Sequence, residues 1–262
     1  MKSMLRCCVF CIAFGLASAS AKPLFENSVV SNDIEFLTTS DPSAFYCLLY
    51  FGTEDREMPD KRSDALMADG VHVFEAWFTD GTAVPIWAHP DLGDQSAAEA
   101  TARLATGPLG RLPSFMRERL DHVVIHSGDE TAFAEDQGRF FVLYDANMRR
   151  RIKTHDLEET VFHEAVHATL DVPIAASDGW QAAQRADGQA LTHYAADNPG
   201  REDLAESALF AFTYFQHPER LGPELRANIE VTIPARLAFL RDIFGPDQQM
   251  QKTVGPLQDC PS

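Results

Sequence analysis

"ETVFHEAVHATLD", residues 159–171, sets two histidines four positions apart in an apolar run, with a glutamate directly after the first. On a helix His163 and His167 fall one turn apart on one face, because four residues advance about 400°. Two imidazoles so placed can reach one metal ion at about 2 Å each. Glu164 is turned about 100° from His163, so it can hold a water beside the metal instead of ligating it. Zinc would draw the pKa of that water towards about 7, and the carboxylate would take its proton. Val161, Phe162, Ala165, Val166 and Leu170 fill the remaining positions, which predicts a buried helix. Burying two imidazoles and a carboxylate without partners is costly, and a metal ion relieves that cost.

The flanks agree with a helix. Asp156 is placed to cap it, with Glu159 three residues on, and Asp171-Val172-Pro173 ends it, since a residue before proline avoids the helical region. A catalytic zinc site takes a third protein ligand and keeps its fourth position open. No further histidine follows in "HATLD". Downstream, "NPGREDLAES" (198–207) offers Glu202 and Glu206 one helical turn apart. Asp171 is a rival ligand, but eight residues from His163 it drifts about 80° off the metal face, which favours a role at the helix C-terminus.

Outward from this stretch the chain changes character. Residues 43–53 read as a strand. Residues 71–89 read as a hairpin turning at Thr79-Asp80-Gly81, and 121–128 and 138–146 as two short strands. A helix is expected over 96–105, ended by "GPLGRLP". From 156 onward the pattern is helical: a second helix opens at Ser177 (about 178–194), a third at Asn198-Pro199, and two more lie near 222–242. Strands with some helix, then helices alone, predict an α+β fold in which a small mixed sheet packs on a helical half carrying the H-E-x-x-H helix. A single domain over 22–245 with a tail over 246–262 is the simplest division; residues 22–120 forming a separate β-rich part or pro-segment is the alternative.

At 262 residues with 45% hydrophobic and 10% aromatic content, the chain has material for an ordinary core. A formal charge of −17 argues against nucleic acid or an anionic membrane surface as partner. The opening "MKSMLRCCVFCIAFGLASASAKP" has two basic residues, an apolar run and a small-residue end, which is the pattern of a secretory leader over 1–21. It predicts a secreted or periplasmic protein; a short N-terminal anchor is the alternative, and no other apolar stretch approaches membrane-spanning length. Cys7, Cys8 and Cys11 would leave with the leader. Cys47 and Cys260 would remain, an even pair in an exported chain and so a candidate disulfide.

The two-helix arrangement resembles the gluzincin metallopeptidases, the group of thermolysin and the lethal-factor toxins. That resemblance implies Glu202 as third zinc ligand and Glu206 as the acid orienting a ligand histidine, with exchange of these two roles as the alternative. It also implies a tyrosine before the ligand glutamate that steadies the oxyanion. Tyr194, eight residues before Glu202, is close to that pattern but one residue longer, and His193 is the neighbouring alternative. "CLLYFGTEDREMPDKR", "EETVFHEAVHATLD" and "YAADNPGREDLAES" also resemble a set of uncharacterised secreted bacterial proteins carrying H-E-x-x-H.

The histidines at 72, 89, 122, 126, 155 and 217 lack paired spacing and read as surface or core residues. The expected function is a secreted zinc metallopeptidase acting on peptides or proteins, with one zinc ion held by His163, His167 and Glu202, and Glu164 as general base. A non-catalytic zinc protein that binds a peptide or cell-surface partner is the alternative, as is a zinc hydrolase of non-peptide substrates. Retention of Glu164 favours an enzyme, because a structural zinc site needs no base.

Overall fold

A computed structural model describes residues 22–31, 34–253 and 260. The leader expected over 1–21 lies outside them. The fold is α+β. Strands β1 (Phe45–Glu57), β2 (Met67–Phe78), β3 (Ala83–Ala88), β4 (His122–His126), β5 (Phe133–Glu135) and β6 (Phe140–Tyr144) form one sheet in the order β1-β2-β3-β4-β6-β5. The first three are antiparallel neighbours, β3, β4 and β6 run parallel, and β5 folds back antiparallel on β6 as the last strand of the order.

The β2–β3 hairpin turns where expected. Gly81 adopts φ 82°, a left-handed conformation open to glycine, and its N–H donates to the Phe78 carbonyl at 3.0 Å. Asp80 accepts from the Thr82 backbone and hydroxyl at 3.1 and 2.7 Å and pairs with the buried guanidinium of Arg117. Inward residues of β2 and β3 (Phe74, Ala76, Phe78, Val84, Ile86, Ala88) are all buried.

Helix α1 (Gln95–Arg111) crosses from β3 towards β4 and continues through Gly107-Pro108, where the sequence predicts its end. Tertiary contacts override that signal. Arg117, on the short helix α2 (Ser114–Arg119), donates to the carbonyls of Leu109, Gly110 and Leu112 at the helix end. Gly110 packs so tightly on the start of β1 that a Cβ there would lie 2.6 Å from the Phe45 nitrogen.

After β6 come α3 (Asp145–Thr154), α4 (Leu157–Leu170), α5 (Asp178–Asp187), α6 (His193–Asp197), α7 (Asp203–Gln216), α8 (Pro223–Thr232) and α9 (Pro234–Phe244). Helix α3 has no counterpart among the expected elements. Helices α1 and α4 lie on one face of the sheet, α1 against β1 to β3 and α4 against β5 and β6; α7 packs on α4, and α9 on α5 and α7. All of α4 is therefore buried.

Segments near both ends of the described residues pack on the same core. The rings of Phe25 and Phe36 pack on Phe210 at 5.0 and 4.7 Å, and Val29, Phe36, Phe74, Ile86, Val161, Phe210 and Phe244 belong to one hydrophobic cluster. Towards the C-terminus, the Met250 carbonyl accepts from Ser114 N at 2.7 Å, and Lys252 N donates to Ser114 Oγ at 2.8 Å. Cys47 and Cys260 form a disulfide with Cα atoms 6.3 Å apart, within the usual range. Among the described residues no helix is long and apolar enough to cross a membrane.

Candidate metal centre

The start of α4 is fixed differently from the expected reciprocal cap. The Asp156 carboxylate is occupied by Arg151 at 2.9 Å and the Thr154 hydroxyl at 2.7 Å. Glu159 instead accepts the Phe36 backbone N–H at 2.7 Å. Burial pushes its carboxyl up to about 8, against the lowering effect of backbone hydrogen bonds from Phe36 and Leu37. Long-range bonds thus set the pitch and position of the helix that carries the two histidines.

His163 and His167 face the same way, Nε2 to Nε2 at 3.1 Å. Glu202 Oε2 completes a triangle, 3.2 Å from His167 Nε2 and 3.4 Å from His163 Nε2. The third helix opens at Asp203, later than Asn198-Pro199 predicts, because residues 198–202 form a turn in which Glu202 N donates to the Asn198 carbonyl at 2.9 Å. Glu202 therefore sits at the mouth of α7, facing α4. Its neighbour Asp203 is fully buried and held by Gln184 at 2.7 Å and Arg236 at 2.8 Å, while Arg236 also pairs with Asp187 at 2.9 Å. That buried set ties α5 and α9 to the start of α7 and so fixes where Glu202 stands.

A tetrahedral ion with bonds of about 2 Å spaces its ligand atoms about 3.3 Å apart. The three edges observed here match that spacing, so His163, His167 and Glu202 could hold a metal ion. Around them, Asp171 Oδ2 stands 2.7 Å from His167 Nδ1. Glu206 Oε1 lies 3.7 Å from His163 Nδ1, and that nitrogen is buried without a hydrogen-bond partner. The fully buried Glu206 carboxylate accepts from Ser28 Oγ at 2.5 Å and Val29 N at 2.7 Å.

Burial acts to lower His167, but its hydrogen bonds to Asp171 and Glu202 outweigh burial and push it up to about 10. Burial acts to raise Glu202, yet the hydrogen bonds and charges of His163 and His167 hold it well below the usual carboxylate range. A metal entering this site would displace the extra proton of His167.

The triangle opens into a cleft of about 1300 Å³ that Glu164, Tyr194 and Asp171 also line. One wall is β5 with the turn after it; the opposite wall comes from the segment after α4, from α5 and from residues 194–202. Tyr194 is partly exposed to this space; burial, then the charge of Glu202 and a hydrogen bond to it, and then the charges of Glu206 and Glu164, push its hydroxyl up to about 12. His193 turns the other way, towards Glu26 at 3.6 Å.

The sequence assigns Asp171 to the helix C-terminus from its offset to His163; the spacing that matters is the four residues to His167, which put the two on one helical face. Lys61 also lines the cleft, and nothing near it in sequence points there. Comparisons with protein-family models, curated proteins and solved structures found no match for this chain.

Proposed function

We propose that this chain is an exported zinc-dependent metallopeptidase of the zincin type. The observation that carries the reading is the triangle of His163, His167 and Glu202 donor atoms at 3.1–3.4 Å, opening into a cleft that also contains Glu164 and Tyr194. Two imidazoles and one carboxylate are the donor set of hydrolytic zinc sites, and zinc so held supplies a Lewis acid and a water of lowered pKa.

The protein's own groups supply the rest. Glu164 is one residue along α4 from His163 and accepts the water's proton, then returns it to the departing amine. Tyr194 lines the cleft, and a phenol is a hydrogen-bond donor at physiological pH, so it would serve the oxygen on which charge accumulates. Strand β5 ends the sheet order and borders the cleft. A peptide in extended form can add to such an edge, its main chain pairing with the strand and its side chains alternating towards the cleft. The disulfide suits an oxidising compartment and so supports export.

The deciding experiment is Glu164→Gln. The amide keeps the shape of the carboxylate and leaves the three ligands in place, so zinc content and thermal stability are expected to stay at wild-type values. Hydrolysis of a mixed pool of unfolded proteins and peptides, read as new termini by mass spectrometry, is expected to fall by about 100- to 10,000-fold. If zinc-loaded wild type cuts nothing in a broad pool, a binding role or a non-peptide substrate takes precedence. Equal cleavage by both proteins would remove Glu164 from the mechanism.

A further inference from the structure

Lys61 belongs to a short turn after β1, remote in sequence from the metal centre, yet the turn is built to present it. The Asp60 carboxylate accepts from the Arg62 backbone at 2.9 Å, from the Arg62 guanidinium at 2.6–3.0 Å, and from the Tyr144 hydroxyl at 3.0 Å. Lys61 N donates to that same tyrosine oxygen at 3.0 Å. From this base the side chain reaches over the start of β5. Its Nζ donates to Thr131 O at 3.1 Å, Thr131 Oγ1 at 2.9 Å and Ala132 O at 3.2 Å, and lies 5.2 Å from the centre of the Phe133 ring.

All three acceptors are neutral oxygens, so these bonds position the ammonium without neutralising it. Partial burial is the largest influence on it, and through space Glu164, Glu130 and Glu202 favour its charge while Arg201 opposes it. The rest of the cleft is rich in acid: Glu135, Asp136, Glu164, Asp171 and Glu202 all line it. Three cations also line it, Arg185, Arg201 beside Glu202 at 3.7 Å, and Lys61; Lys61 is the one fastened at the start of β5, where a carboxylate of a peptide lying along that strand would meet it.

We propose that Lys61 is a specificity-determining residue that receives a carboxylate of a peptide lying along β5. This rests on the peptidase reading. The carboxylate exchanges for one of the neutral acceptors and gains an ion pair. It can come from an Asp or Glu side chain at a fixed distance from the cut, or from the C-terminus of the peptide itself. Because Lys61 is exposed to the cleft, the preference is modest, about 1.5- to 5-fold for one such pair.

The test uses zinc-loaded full-length protein and matched peptide pairs, Glu against Gln at each position and free acid against C-terminal amide. Wild type is expected to favour the carboxylate member in kcat/KM by about 1.5- to 5-fold, at one side-chain position or at the terminus, which identifies the source. Lys61→Met is expected to bring that ratio to unity with zinc content and Tm unchanged, and Lys61→Arg to restore it. An unchanged ratio in Lys61→Met, or an equal loss for both members of each pair, overturns the proposal, the second outcome marking a structural lysine. The same pairs are titrated into zinc-loaded Glu164→Gln protein without turnover. Should wild type cut no peptide, the peptidase reading fails, and the binding ratio alone decides: a Lys61-dependent ratio keeps the carboxylate site, and its absence removes it.

Discussion

Replacing Asp171 isolates the contribution of one carboxylate to metal affinity, because it touches the centre only through His167. Its Oδ2 lies 2.7 Å from Nδ1, the short distance of a charge-assisted bond. With the metal on Nε2, that bond fixes the tautomer, fixes the ring plane and raises the basicity of the imidazole. Asp171→Ala leaves a buried N–H unpaired, a loss of about 1–3 kcal/mol. Outer carboxylates of this kind are worth about 10- to 100-fold in metal affinity, or roughly 1.4–2.8 kcal/mol at 1.4 kcal/mol per decade, and the two magnitudes agree. Asp171→Asn keeps an acceptor for the N–H but loses the charge, so it is expected near the tenfold end and the alanine near the hundredfold end. Zinc affinity measured by competition with a chromogenic chelator reads both. The control is Glu206→Ala, whose carboxylate stands 3.7 Å from His163 but accepts from Ser28 and Val29; it is expected to lower Tm more than Asp171→Ala does. Zinc affinity of Asp171→Ala within about twofold of wild type would refute the reasoning.

Arg236→Met leaves Asp187 and Asp203 buried without their cation, which typically costs about 3–5 kcal/mol; in a chain of this size Tm is expected to drop by roughly 10 °C in a calorimetric scan. Glu159 titrates near 4.5 when unfolded and is pushed up to about 8 in the fold. Its contribution to stability is thus complete below about pH 4.5 and lost as pH rises towards about 8, with a slope of about 1.4 kcal/mol per pH unit. Glu159→Gln is therefore expected to lack this pH dependence and to gain stability relative to wild type as pH rises from 5 to 8, read by denaturant titration at each pH; parallel profiles would remove Glu159 as the titrating group.

What could be read in the sequence was periodic and local. The spacing of His163 and His167, the apolar positions between them, the turn at Gly81 and the cap at Ser177, whose side chain accepts from Trp180 N at 3.2 Å, each depend on residues within one turn. Glu202 was reachable because its resemblance pattern is a fixed offset along the chain. What escaped depended on distance in sequence. Pro108 stays inside α1 because Arg117 and the start of β1 close that helix, and Glu159 leaves its capping position for the Phe36 backbone. Strand β5 is three residues long and exists through its pairing with β6. Helix α3 was legible in retrospect, with Asp145 in its first turn and Arg151 and Lys153 in its last. Lys61 reaches the cleft through a tyrosine in β6 and two carbonyls before β5, a route no local pattern records.

The Cys47–Cys260 bond spans 213 positions and turns nearly the whole folded chain into one covalent ring. If the chain is exported among peptidases, as proposed, exposed stretches such as residues 61–67 or Val172 are where nicking would begin. In an open chain such a cut would let one half diffuse away and separate β1 from the helices that carry His163, His167 and Glu202. In the ring the same cut opens a loop and releases no fragment, so the two pieces stay at high effective concentration and can re-dock on the shared core. Durability against proteolysis is then set by two cuts instead of one, for as long as the surroundings remain oxidising.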